Sequence, residues 1–142
     1  ERLVKTDPSN AGWQRDLAVA HSRVGNIAET RGRSTAALKA YENSRAIMER
    51  LVKTDPSNAG WQRDLACAHD KVGQTFQNMG NYQNAHSSFS HAVKTMKLAV
   101  AKSPRNRDWR QELANMKLWL STHPKTKTKT KTKTKNRRSK RA

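Results

Sequence analysis

The sequence predicts an all-α protein of antiparallel helix hairpins stacked into a solenoid, and three observations carry that prediction. Residues 1–18 read ERLVKTDPSNAGWQRDLA, and residues 49–66 repeat them letter for letter, which sets a period of 48. Within each period apolar residues recur at spacings of three and four, the pattern of one helix face. β-branched residues are few, and strict alternation is confined to the end of the chain, so strands are not expected. A hairpin that cannot bury its apolar face alone stacks on its neighbours, which is why the repeat leads to a solenoid.

Taken in order, residues 1–6 are read as the end of a preceding helix. The next helix is expected near residues 11–31, on the stripe Trp13, Leu17, Ala20, Val24 and Ile27. Another follows near 34–54, on Ala37, Tyr41, Ser44, Met48 and Leu51. The third, near 58–79, carries Trp61, Leu65, Ala68, Val72, Phe76 and Met79. Asn58 is its expected N-cap, Asp64 lies early, where the helix dipole favours an anion, and Gly80 is its expected stop. The fourth, near 82–102, carries Ala85, Phe89, Ala92, Met96 and Ala99 or Val100, and ends before Pro104. A divergent third copy supplies the fifth, near 107–121, in the register set by Pro104, Trp109 and Leu113. Short turns make neighbouring helices antiparallel. Gly25, Gly73, Ala37 and Ala85 allow close approach, and Tyr41 and Phe89 fill the space between helices. Trp13, Trp61 and Trp109 start apolar stripes and are expected in the core.

Composition divides the chain. Its 142 residues are 34% apolar and carry a net charge of +18. Residues 121–142 hold ten basic residues and no acid, which leaves +8 over residues 1–120. The reading is therefore one helical repeat domain over residues 1–121, about two and a half repeats, and a disordered Lys/Thr/Arg-rich tail over residues 122–142. A large enzyme with a deep core is excluded by this arithmetic. No apolar run approaches the ~18–20 residues of a membrane helix. No signal peptide is visible, and one cysteine, Cys67, cannot form an internal disulfide, so a cytoplasmic setting is expected. The start at Glu1 without Met points to a piece of a longer array.

The order Val24-Gly25, Gly32, Ala37, Tyr41, and again Val72-Gly73, Gly80, Ala85, Phe89, Ala92, resembles the tetratricopeptide repeat. The likeness covers residues 1–121. The period is longer than that family's usual one, Ser44 replaces an Ala, and the signature Trp is displaced to Trp13 and Trp61. The NAGWQRDLA block is similar to long-period bacterial arrays of this family, which are often attached to signalling or nucleotide-hydrolysing domains. The resemblance implies a right-handed superhelix that binds a peptide or partner protein along a concave groove lined by the first helix of each hairpin.

Helix geometry selects the residues that would line such a groove, those off the apolar stripe. They are Arg15, Ser22, Asn26 and Glu29 in the first copy, and Arg63, Asp70, Gln74 and Gln77 in the second. The third copy offers Gln111 and Asn115. Val19 and Cys67 share one repeat position and are expected to be partly packed. Asn26 and Gln74 match the position where some members of the family hold a ligand backbone or carboxylate. Arg15/Asp16 and Arg63/Asp64 read as exposed ion pairs or dipole partners.

No catalytic constellation appears. His21 and His69 occupy one repeat position beside the stripe and read as half-buried packing residues. His86 and His91 are five apart, not the four that puts two ligands on one helix face. No Gly-rich phosphate loop, HExxH or GxSxG is present. No metal and no cofactor are expected, and the expected function is a non-enzymatic protein–protein interaction scaffold. The alternative lies in the tail, where Lys125, Lys127, Lys129, Lys131, Lys133, Lys135, Arg137, Arg138, Lys140 and Arg141 would bind nucleic acid or an anionic surface electrostatically, without sequence preference. Leu118 and Trp119 make the last helix more apolar than a terminal helix should be. They either pack differently on the preceding hairpin or leave a patch, and the open repeat edges allow self-association.

Overall fold

The structure is a computed structural model that describes residues 8–124. These residues form five helices: α1 (Pro8–Thr30), α2 (Ser34–Thr54), α3 (Ala59–Asn78), α4 (Tyr82–Lys102) and α5 (Arg107–Thr122), with no strand among them. The expected helix end at residues 1–6 and the part of the expected tail from residue 125 onward lie outside the described residues. At the start of that tail Thr122 still belongs to α5 and His123 stacks on Trp119 at 4.2 Å, so order runs past the expected boundary at 121.

Asparagine side chains close the starts of α3, α4 and α5. Asn58 Oδ1 accepts from the Trp61 N–H at 3.0 Å, as expected, and Asn106 does the same for Trp109 at 3.0 Å. Asn81 caps α4 through the Asn84 N–H at 3.2 Å. Glycine closes both first helices. Gly32 and Gly80 have φ of 72° and 80°, the left-handed region. The Asn81 N–H reaches the Phe76 carbonyl at 2.8 Å while Gly80 N–H reaches Gln77 at 3.0 Å, and Arg33 and Gly32 repeat this onto Ala28 and Glu29 at 2.9 and 3.0 Å. Both are Schellman closures, so the repeat copies its stop signal as well as its stripe.

Each helix packs chiefly on the helices before and after it in sequence. Within a pair the contacts run antiparallel. Ser22 meets Ser44 at 3.1 Å, and four residues further along α1 Asn26 meets Tyr41. In the second pair His69 stacks on His91 at 5.3 Å, and Gly73 lies against Phe89. The last helix crosses α4 in the same sense, with Trp119 on Phe89 at 4.5 Å and His123 on Tyr82 at 6.5 Å. Equivalent helices, one period apart, run parallel: Arg15 pairs with Asp64, Glu29 with Asn78 and Arg63 with Glu112, each 49 residues apart.

The close approaches expected at glycine are present. A Cβ on Gly25 would stand 2.6 Å from Tyr41 Cε1, and Ala37 and Ala85 are fully buried. One core group joins Ala11, Ala18, Ile47, Met48, Leu51 and Leu65, with Trp61 and Val52 against it. Another joins Ala28, Ala37, Tyr41 and Val72. The third joins Ala66, Ala92, Val93, Met96 and Met116, with Trp109 and Leu113 against it.

Four expectations need correction. The stripe assigned to α1 is not its buried face: Trp13 is 69% exposed, Leu17 47%, Val24 57% and Ile27 55%. Helix α1 instead buries the small residues Ala11, Ala18, Gly25 and Ala28. The reason is neighbour count. Helix α3 lies between α2 and α4 and buries both faces, whereas among the described residues α1 packs on α2 and at its edge on α3. Second, Asp64 is no dipole partner: α3 has no acid in its first turn, and Asp64 accepts from Arg15 Nε at 2.7 Å. Third, the pairing Arg15/Asp16 is replaced by that cross-helix bond, and Arg63 adds Glu112 to a longer 3.6 Å contact with Asp64. Fourth, α1 begins at Pro8, although the identical Pro56–Asn58 segment is a turn. In the second copy that turn is held from outside: Gln62 and Lys102 both donate to the Pro56 carbonyl, at 2.6 and 3.2 Å.

Candidate binding cleft

Apart from Gln111, the residues expected to line a groove fall into two seams with different chemistry. In the seam between α1 and α3 they are consumed by the fold. Arg15 holds Asp64, and Ser22 holds the buried Ser44. The Tyr41 phenol, fully buried, lies 2.6 Å from Asn26 Oδ1 and 2.8 Å from Glu29 Oε2. One hydroxyl has one proton, so it donates to the carboxylate, and Asn26 is satisfied when its amide N–H faces the phenol oxygen. Burial first, and Glu29 second, push the phenol well above its ordinary range. Glu29 also accepts from Asn78 Nδ2 at 3.2 Å. This seam has little left to offer a ligand.

Between α3 and α5 the same positions frame a cleft of about 300 Å³. One end is fixed by a fork: Arg63 Nη2 and Nε donate to Glu112 at 3.0 and 3.2 Å, and the Cys67 thiol donates to Glu112 Oε2 at 3.3 Å. The pair Arg63–Glu112 is the pair Arg15–Asp64 moved by one period. Further along, Asp70 Oδ2 accepts from Gln74 Nε2 at 2.7 Å. Gln77 and Asn115 complete the polar wall, and Phe89, Met116 and Trp119 form the apolar one.

Electrostatics separates the ionisable groups. Burial pushes the Cys67 thiol up to about 12, against the pull of Arg63 and with help from Glu112. It stays protonated near neutral pH and is no nucleophile. Burial also raises the Asp70 carboxyl, against its bond from Gln74 and the nearby Lys71. A carboxylate so placed gains from a cationic ligand group that replaces lost solvation. Trp119 Nε1 is buried and has no partner among the described residues. Among those residues no group of three or more His, Cys, Asp or Glu is placed to hold a metal ion. No helix there is long and apolar enough to cross a membrane.

Of the expected groove residues, the structure therefore brings Asp70, Gln74, Gln77 and Asn115 to one cleft, with Arg63 at the fork beside it. Gln111 faces a separate depression with Arg107, Asp108 and Arg110, and donates to Asn115 at 3.1 Å. The tail lysines and arginines lie outside the described residues. Glu112, Lys71 and Trp119 are cleft residues that the sequence reading missed. Glu112 had a signal, because it stands one period after Asp64. Trp119 had a partial one, because it broke the repeat. Trp119 packs on Phe89 and stacks on His123 at 4.2 Å, while Leu118 stays 65% exposed. No protein-family model matches the chain, and no curated protein matches it.

Proposed function

We propose that the chain is a non-enzymatic interaction scaffold of the tetratricopeptide type, whose stacked hairpins form a solenoid and whose α3–α5 cleft binds a short peptide segment of a partner protein. One observation carries this reading: three side-chain amides, a half-buried carboxylate and an aromatic floor converge on one cleft, one end of which is fixed by the Arg63–Glu112 fork. Gln74, Gln77 and Asn115 match the donors and acceptors of an extended peptide backbone. Asp70 favours a Lys or Arg side chain. Phe89, Met116 and Trp119 suit an adjacent apolar one. The repeated 49-residue Arg–acid pair supports stacking of like units.

The test is a displayed random-peptide library selected on the full chain. Enrichment of an apolar residue beside Lys or Arg is expected. Asp70→Asn and Gln74→Ala should each weaken the selected peptides about tenfold, in keeping with ~1–1.5 kcal/mol per hydrogen bond to a buried polar group. Deleting residues 125–142 should leave their affinity unchanged. Retained affinity in both cleft variants, or its loss on tail deletion, overturns the reading. The ten basic residues of that tail favour a second reading, electrostatic binding of nucleic acid. It requires DNA binding that falls steeply between low and physiological salt, and it fails if no DNA binds at low salt.

A further inference from the structure

We infer that the face of α1 bearing Trp13, Leu17, Val24 and Ile27 is a docking surface for an amphipathic helix with the apolar pattern of α2. The inference stands on the repeat and not on the cleft. These four side chains are 69%, 47%, 57% and 55% exposed. Their counterparts one period later are covered: Leu65 is 7% exposed, Val72 3% and Thr75 1%, and Trp61 is half-buried. The face runs from residue 13 to residue 27, roughly 20 Å of helix at 1.5 Å per residue. A continuous apolar row of that length differs from scattered surface apolar residues and marks a contact surface.

The chain itself shows what covers such a face. Over α3 the cover is α2, whose Ile47, Met48, Leu51 and Val52 meet Leu65 and Trp61, and whose Tyr41 and Leu38 meet Val72 and Phe76. Part of each half of that seam lies inside the repeated block. Residues 49–66 hold Leu51 and Val52 together with Trp61 and Leu65, and residues 1–18 hold Leu3 and Val4 together with Trp13 and Leu17. A receiving face copied with the closing letters of its cover's sequence calls for the rest of that cover. A second copy of the chain fits less well. Both seams between hairpins set a second helix on a first helix, α2 on α3 and α4 on α5. The described part begins and ends with first helices, so copies placed end to end would set like on like.

The test extends the full chain with a copy of Ser34–Met48 ahead of Glu1, so that Glu1–Thr6 complete a second copy of α2. The melting temperature should rise by at least about 5 °C, since even ~1 kcal/mol of added stability shifts a domain of this size by several degrees. Val24→Asp lies at an exposed position and should leave the unextended chain folded while removing the gain. Ile47→Asp in the appended copy should remove it too. Asp70→Asn should leave the gain intact, which keeps this result separate from the fate of the cleft. The inference is overturned by no gain, by a gain that survives Val24→Asp, or by sedimentation that shows an unextended dimer which Val24→Asp dissociates.

Discussion

Three glycine-to-alanine substitutions in helix interiors should give three different signs. In each case alanine removes glycine's backbone freedom, which by itself stabilises by about 0.5–1 kcal/mol. The surroundings then decide. Gly12 is exposed with nothing within 4 Å of a new Cβ, so Gly12→Ala should keep the whole gain. At Gly73 the Cβ would stand 3.0 Å from Phe89 Cδ1 and Cε1, a contact relieved by a few tenths of an ångström of ring movement. Gain and strain there are similar, and Gly73→Ala should be near neutral. At Gly25 the Cβ would stand 2.6, 2.7 and 2.9 Å from Tyr41 Cε1, Cδ1 and Cζ. That ring is fully buried, and its hydroxyl is tied to Glu29, so it has no retreat. Overpacking of this kind destabilises by about 1–3 kcal/mol, which leaves Gly25→Ala a net loss of about 1–2 kcal/mol. Urea unfolding of the three variants measures the order directly. A Tyr41→Leu background removes the ring, and there Gly25→Ala should turn stabilising, a coupling that a double-mutant cycle isolates. Equal effects of Gly25→Ala and Gly12→Ala would refute the packing argument.

Three further outcomes follow from the same geometry. His69, 8% exposed, has its pKa lowered to about 4, by burial first and then by His91 and Arg45. The unfolded chain protonates near 6.5 and the fold resists, so stability is complete above that pH and declines as pH falls from 6.5 towards 4, by at most about 3 kcal/mol. Urea unfolding at pH 7 and pH 4.5 should show that loss reduced in His69→Gln, and an unchanged loss would count against burial as its cause. Gly80→Ala places a side chain at φ 80° and should destabilise by about 1–2 kcal/mol, measured by thermal unfolding; a neutral result would mean the α3–α4 turn can be rebuilt. Cys67, with its thiol pushed up to about 12 from 9.0, should react with iodoacetamide at pH 7.5 roughly a thousandfold more slowly in the fold than in urea. Fast labelling of the folded chain would contradict its burial.

Helix positions were legible where the boundary has a local cause. α4 runs from Tyr82 to Lys102 as its periodicity predicts, and α3 falls within one residue of expectation at each end, between the Asn58 cap and the turn at Gly80. Periodicity also marks which positions leave the stripe, so Asp70, Gln74, Gln77 and Asn115 were legible as one set. What periodicity lacks is the offset between helices. A 49-residue register joins Arg15 to Asp64 and Arg63 to Glu112, and a one-residue difference from the period cannot be read from one helix alone. That register spends Arg15 on Asp64 and Glu29 on Asn78, and puts Glu112 at the cleft.

The repeated block separates the two levels of control. Residues 13–18 and 61–66 are the same six letters, and both form helix, because capping, propensity and apolar spacing act within a few turns of the chain. Their burial differs all the same. Trp13 is 69% exposed and Leu17 47%, while Trp61 is half-buried and Leu65 is 7% exposed. Sequence alone determined that each copy would be a helix with an apolar face. Only the tertiary structure decided which face was covered, because removal from water depends on the helix lying across it, and α2 lies across α3 and not across that face of α1.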